Sequence, residues 1–325
     1  MNTKVKKAPQ KSESYSKGNV KDKVVPLFGL VASILVFTIV TKGGFLAISN
    51  LNIILNQCFT LLLTAVGATF IYSHGSIDVS LANACMLGCI AAVYTANATQ
   101  NILLSFLVCV VVCVVFALII ALISANLHIK PFPAALCISF ICMGIAGELL
   151  TTGEVLMPAA IAKAVDQPWI KIIVLAVSVS VCYILFEHSK IGPVNRAIGG
   201  NETTVWLSGI NVKKYKLLAF LVRGVMLGIA AYFLICRVTT ATTTTGSGLH
   251  MDVMLAFILG GMSIRGGPAS RITAPIIGAI ITYVLSNGFI LCGVNVYFVQ
   301  LIKGIVFLVV ILVVFPRKKG GTLPD

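Results

Sequence analysis

The sequence predicts an all-α integral membrane protein of about ten transmembrane helices, with both termini in the cytoplasm. Three observations carry that expectation. Of 325 residues, 58% are hydrophobic and 10% charged, and the mean hydropathy is +1.02, whereas soluble domains carry about 25% charged residues. Apolar runs long enough to cross hydrocarbon as helices recur along the chain, and none alternates as barrel strands do. The cations lie beside the ends of those runs. Of 24 Lys and Arg, 18 fall in segments that a ten-span topology places inside, and four (Lys42, Lys163, Lys171, Arg237) fall outside or at outer boundaries. That asymmetry orients the chain. The net charge of +14 is therefore a matter of membrane lipid. No basic patch interleaved with aromatics offers itself to nucleic acid.

Residues 1–23 are polar and basic, with seven lysines, and are expected to form a disordered cytoplasmic tail. The run that follows, Val24–Thr41, is long enough to span, which fits a signal anchor rather than a cleaved leader. Further spans are expected at about 54–72, 79–96, 102–124, 132–150, 169–187, 217–236, 251–264, 272–291 and 297–315. They complete a transmembrane domain over 24–315, followed by a cytoplasmic tail, 316–325. The outside segment 151–168 holds Pro158 and Pro168, which limit its helices, and it is the longest outer platform for a partner. All ten cysteines lie in or beside apolar runs. With histidine too sparse to complete a metal site, they read as small buried packing residues.

The longest polar interval, 188–216, is expected to be cytoplasmic and to hold a short helix. Asn201 has the acceptor of an N-cap, and Glu202 would sit in the first turn, where the helix dipole favours a carboxylate. Gly209 can take the left-handed conformation that closes the far end. Val205, Trp206 and Leu207 lie between these caps. A helix this short is marginal alone, so its apolar side chains point to docking. The competing reading is a loop whose Trp206 rests among lipid headgroups.

Two weak places interrupt the hydrophobic pattern, 72–84 and 242–270, the second with an apolar core of about fourteen residues, short for a span. Each has a Gly-Ser step and a lone acid, Asp78 or Asp252, before an apolar run ending in Gly. Breaks at membrane depth need covering protein or a wet cavity. They fall on opposite sides of the expected topology, as an inverted repeat of spans 2–5 and 7–10 predicts. The two acids are expected to hold the ends of broken helices through backbone N–H groups beside a central pathway. Arg223 and Lys303 fall within spans, where a charge needs a partner, a wet cavity or a route to the interface. Snorkelling is the first expectation for both.

The string GGNETTVWLSGINV resembles the cytoplasmic coupling loop of the membrane subunits of bacterial ATP-binding-cassette importers for simple sugars, the ribose-permease family. The match runs through Gly199, Gly200, Asn201, Glu202, Leu207, Ser208, Gly209 and Ile210, with Thr203 and Thr204 where the family has small Ala residues. GSIDVS resembles the family's Gly-Ile-Asp-Leu-Ser signature through Ile77, Asp78 and Ser80, and KPFPAAL resembles its Pro-Phe-x-Ala segment. LAFILGGMSIRGGPA resembles a Leu-Gly-Gly-x-Ser-x-x-Gly-Gly stretch through Leu259, Gly260, Gly261, Ser263, Gly266 and Gly267, and QLIKG at Lys303 resembles the last span. Ser76, Ala82 and Ala269 stand where the family has glycine, and Met143 where it often has arginine.

The resemblance implies a permease subunit of the bacterial plasma membrane that forms half of a pathway for a sugar or related polar solute. The short capped helix with its apolar side chains and the resemblance together give candidate ATPase-coupling roles to Gly200, Asn201, Glu202, Val205, Trp206, Leu207, Ser208 and Gly209. The two interruptions and the resemblance together give candidate pathway roles to Ser76, Asp78, Ser80, Asp252, Gly260, Gly261, Ser263 and Lys303. The chain has no phosphate-binding loop of the Gly-x-x-x-x-Gly-Lys-Ser/Thr kind, so ATP and magnesium are expected on a separate cytoplasmic ATP-binding subunit, with no cofactor, metal or catalytic residue here. The other implied partners are an extracytoplasmic solute-binding protein and a second permease copy or paralogue. The alternatives are an ion-coupled secondary transporter, for which intramembrane acids are few, and a related permease for nucleosides, branched-chain amino acids or a furanose-like signal molecule. An intramembrane enzyme finds no paired acids or Ser-His-Asp set.

Overall fold

Every one of the ten expected spans carries a helix in the computed structural model, which describes residues 20–314 apart from 128, 152 and 264. They are α1 (Val20–Val40), α2 (Ile48–Ser73), α3 (Leu81–Thr99), α4 (Ile102–Leu127) and α5 (Pro131–Leu149). After α6 (Ala159–Val165) comes α7 (Pro168–Tyr183), and two short helices, α8 (Ile191–Gly200) and α9 (Glu202–Leu207), precede α10 (Val212–Val238). The chain then forms α11 (Leu249–Leu259), α12 (Thr273–Leu291) and α13 (Val296–Val314). Seven are long and apolar enough to cross a membrane: α2, α3, α4, α5, α10, α12, and α7 with the π-helical turn Ile184–His188 that continues it. The expected tail 1–23 falls largely, and the tail 316–325 wholly, outside the described residues.

Local chemistry explains the boundaries. Proline opens both α5 and α7, where its missing N–H is not needed. Asn101 caps α4 by accepting from the Leu104 N–H at 3.1 Å. α2, α3 and α10 are mostly buried, while α4, α5 and α7 turn most of their surface outward. Phe140 and Ile172, 65% and 68% exposed, are on that outward, lipid-compatible surface.

α10 packs between α2 and α4, and small residues set the approach. A Cβ at Gly228 would lie 2.5 Å from Val110 Cα, and one at Gly224 would lie 2.8 Å from Val114 Cα. Close backbone approach through small residues is how membrane helices associate, since lipid supplies no hydrophobic drive. α11 and α12 meet in the same way, with a Cβ at Gly278 only 1.7 Å from the Ala256 carbonyl oxygen. Cys109 and Cys113 fill the α4 face against Gly88 and Gly228. The packing role holds for eight cysteines; Cys137 and Cys292 are exposed.

The outer segment is more ordered than its prolines suggest. β1 (Val155–Leu156) pairs antiparallel with β2 (Thr240–Ala241), just past the end of α10. Lys171 pairs with Asp166 and donates to the Asn56 side chain at 2.6 Å, and Arg237 donates to the Asn56 carbonyl at 2.5 Å. These bonds tie the segment to α2.

Candidate functional site

The first interruption begins where α2 ends. His74 closes the helix, and Gly75 turns the chain with φ +77. Asp78 then bridges three groups. One carboxylate oxygen accepts from the Ser80 N–H at 2.8 Å and from the Ser80 hydroxyl at 2.6 Å, so the acid holds the start of α3. The other lies 2.5 Å from Nη2 of Arg223 on α10, with both side chains fully buried. The Arg223 guanidinium also donates to Ser80 Oγ at 2.9 Å. Arg223 therefore does not snorkel; its stem and head turn inward, because a pre-formed anion is a better destination than a distant interface.

The second interruption is built differently. α11 is only eleven residues long, and Asp252 sits in its first turn. Among the described residues it accepts no backbone N–H of a broken end, contrary to the expectation; its carboxylate meets Lys303 Nζ of α13 at 2.8 Å. The Lys303 side chain is 21% exposed and that of Asp252 19%, so this lysine too has a partner in place of a free path to the interface. Gly260 serves packing, since a Cβ there would lie 1.9 Å from the Ala274 carbonyl oxygen. Gly261, φ +78, ends the helix, and Ser263 Oγ accepts from the Arg265 N–H at 3.2 Å.

In the polar interval 188–216, Asn201 caps α9 by accepting from the Thr204 N–H at 3.1 Å. Ser208 Oγ donates to the Thr204 carbonyl at 2.8 Å, and Gly209 takes φ +78. Glu202 pairs with Lys216 of α10 at 2.7 Å. The three apolar residues separate. Val205 is covered by its own chain, in a small cluster with Ile198 and Val212, so it is not available to a partner. Trp206 and Leu207 are 66% and 72% exposed.

An open cleft of about 1050 Å³ joins this helix to the first interruption, with His74, Ser76, Lys130, Trp206 and Lys216 among its walls. Ser76 Oγ and His74 Nδ1 are 2.9 Å apart. Burial, and then the positive charge of Lys216, lower the His74 pKa to about 3, so the ring is neutral at physiological pH. Of the expected pathway residues, Ser76 lines this cleft, Asp78 and Ser80 lie in the buried pair, and Asp252 with Lys303 forms a separate one.

The order of these parts, two interrupted regions around a short capped helix, runs through the same residues that match a known family. Residues 50–314 match the family described as "Branched-chain amino acid transport system / permease component". The chain belongs to this permease family. It is similar to the ribose import permease protein RbsC of Escherichia coli strain K12, 29% identical over 299 residues, which cover 87% of this chain and 92% of that one. RbsC of Haemophilus influenzae is 28% identical over 297 residues, with 87% and 90% covered. The xylose transport system permease protein XylH of Haemophilus influenzae is 33% identical over 148 residues, 46% of this chain and 39% of that one.

Within the permease, Arg223 is the residue that sequence reading left out of the site. Its signal was present, as the only cation deep in α10, but the string holding Asp78 gives no hint of a partner 145 positions away. α8 was missed for another reason: its Gly-rich end reads as loop.

Proposed function

We propose that this permease is the membrane subunit of an ATP-binding-cassette importer, forming the pathway for a sugar or related small polar solute in the bacterial inner membrane. The observation that supports this most is the match to ribose import permeases over nearly the whole of both chains. The chain supplies no ATPase site. A cytoplasmic ATP-binding subunit with its magnesium drives the cycle, an extracytoplasmic binding protein delivers solute, and a second permease copy or paralogue completes the pathway. Residues 24–315 form the transmembrane domain in ten spans, the basic tails lie inside, and spans 2–5 and 7–10 form the inverted repeat.

The exposed Trp206 and Leu207 on a capped helix suit insertion into a cleft of the ATP-binding subunit. Asp78, Ser80 and Arg223 hold the first interruption against α10, and Asp252 with Lys303 holds α11 against α13. Ser76 and Ser263, together with the glycines 260 and 261, shape the turns beside the pathway.

The test is uptake in proteoliposomes holding the permease with its co-encoded ATPase and binding protein. Labelled ribose, xylose, a nucleoside and a branched-chain amino acid are compared. ATP-dependent entry of a pentose, competed by the other pentose and not by leucine, is expected; entry of leucine alone would overturn the sugar assignment. Topology is read in a variant lacking native cysteines. A cysteine at Asn201 is expected to resist an impermeant thiol reagent in intact cells, and one at Glu154 to react.

A further inference from the structure

α8 stands between the coupling helix and both interrupted regions. Gly199 lies two residues before Asn201, the cap of α9. A Cβ at Gly199 would lie 2.2 Å from the Ser73 carbonyl oxygen and 2.5 Å from the Gly267 nitrogen. Those two atoms are bonded to each other, the Gly267 N–H donating to Ser73 O at 2.8 Å. Gly266, φ +71, lies against Gly75 so closely that a Cβ there would be 2.5 Å from its nitrogen. The two interruptions thus meet backbone to backbone at this point, beside the stacked rings of Tyr72 and Phe257 4.4 Å apart, and the end of α8 presses on the seam. Gly200, next in line, has ordinary clearance, 3.8 Å to Pro268 Cδ.

Three residues earlier, on the same helix face, Arg196 makes the second grip. Its Nε donates to the Ser270 carbonyl at 2.9 Å, and its Nη2 donates to Glu187 at 2.5 Å. Its guanidinium lies 4.5 Å over the Phe186 ring, and Phe186 meets Phe70 of α2 edge-on at 5.2 Å. One side chain thus holds the second interruption, the turn before α8 and, through Phe186, α2. Beside it Asn195 is fully buried with neither amide atom paired, and the Ser270 hydroxyl is unpaired as well. Buried polar groups left without a partner disfavour the arrangement that holds them, so a displacement of α8 has hydrogen bonds to gain as well as to lose.

We propose that Arg196 and Gly199 are positioning residues of the transport cycle, gearing α9 to both interrupted regions at once. The inference rests on the importer reading. Coupling is carried by contiguous packed elements with two arrangements. α8, about 15 Å long at 1.5 Å per residue, is short and straight enough to pass a push at α9 directly to the Ser73–Gly267 seam. A permease with a loosened seam still binds and fires its ATPase but wastes the stroke.

The experiment measures solute imported per ATP hydrolysed in proteoliposomes containing the full complex. The variants are Arg196→Gln, Arg196→Lys and Gly199→Ala. All three are expected to recover the ATPase on purification and to keep hydrolysing ATP. Solute per ATP is expected to fall at least tenfold in Arg196→Gln and Gly199→Ala. A several-fold fall is expected in Arg196→Lys, which keeps a charge for Glu187 but loses the planar fork that reaches Ser270 while lying on Phe186.

Parental coupling in Arg196→Lys would overturn the proposal, because the Glu187 ion pair alone would then suffice. So would losses that merely track ATPase recovery, which mark a docking defect. If Gly199→Ala does not reach the membrane, the Arg196 pair decides. Failure of the importer reading itself would appear in the parental protein, as no ATPase recovered at all.

Discussion

Arg223→Met tests the fully buried ion pair that joins the first interruption to α10. The parental pair is 2.5 Å apart with both side chains fully buried, so removing the guanidinium leaves Asp78 with only the Ser80 N–H and hydroxyl as donors. Breaking one side of such a pair costs about 3–5 kcal/mol, mostly the penalty of an uncompensated buried charge. Asp78→Asn is expected to cost a similar amount from the other side. A double variant, Asp78→Asn with Arg223→Met, removes both charges and is expected to recover at least about 2 kcal/mol of the summed loss. Unfolding in detergent is read by a thiol-reactive dye, since eight cysteines are buried and free. Single variants are expected to melt on the order of 10 °C lower. Single variants within about 1 kcal/mol of the parent, or a double variant equal to the sum of the singles, would show that the contact carries no such energy.

Three further expectations concern other parts. Trp206→Ala is expected to weaken ATPase recovery about thirtyfold, the loss of a hot-spot aromatic, with permease abundance unchanged; full recovery with full transport would remove α9 from the interface. His74 has a pKa of about 3 when folded against about 6.5 unfolded. Between those values the unfolded chain binds the extra proton, so stability contributed here is complete above pH 6.5 and lost as pH falls toward 3. His74→Gln is therefore expected to flatten the decline in melting temperature between pH 7 and pH 5. Gly278→Ala places a Cβ 1.7 Å from the Ala256 carbonyl oxygen, and it is expected to lower the amount of folded permease by forcing α11 and α12 apart.

Helices were legible because a bilayer forces every backbone group to be satisfied within its own segment, so apolar length alone locates them. The caps of α9 were legible for a similar reason: Asn201 and Gly209 act on neighbours three or four residues away. Pairing across the fold has no such local trace. The sequence shows acids at 78 and 252 and cations at 223 and 303, all at membrane depth. Charge balance alone argues that they meet, yet nothing local says which meets which. The β1–β2 pair was hidden likewise, in strands of two residues each, too short for any alternation to register. Val205 was misjudged because its cover comes from Ile198 and Val212, on helices that sequence reading did not place beside it.

The two interruptions share a string but not an energetic role, and burial decides the difference. Asp78 is wholly enclosed and tied to both α3 and α10, so its partner cannot leave without stranding a charge. Asp252 and Lys303 keep 19% and 21% of their side chains uncovered by this chain, so either has room to turn toward a wet cavity when the other departs. Solvent-exposed pairs contribute about 0–1 kcal/mol and fully buried ones about 3–5 when broken, and the Asp252–Lys303 pair falls between these limits. The first pair is therefore a fixed weld and the second a contact that can open while the helices stay folded. Asp252→Asn is accordingly expected to lower the melting temperature well under half as much as Asp78→Asn. Exchange between open and closed forms of the second pair requires movement of α11 against α13, which meet there through one ion pair across a part-exposed surface. The opposite order of the two melting temperatures would place the weld at the second interruption, and the moving contact at the first.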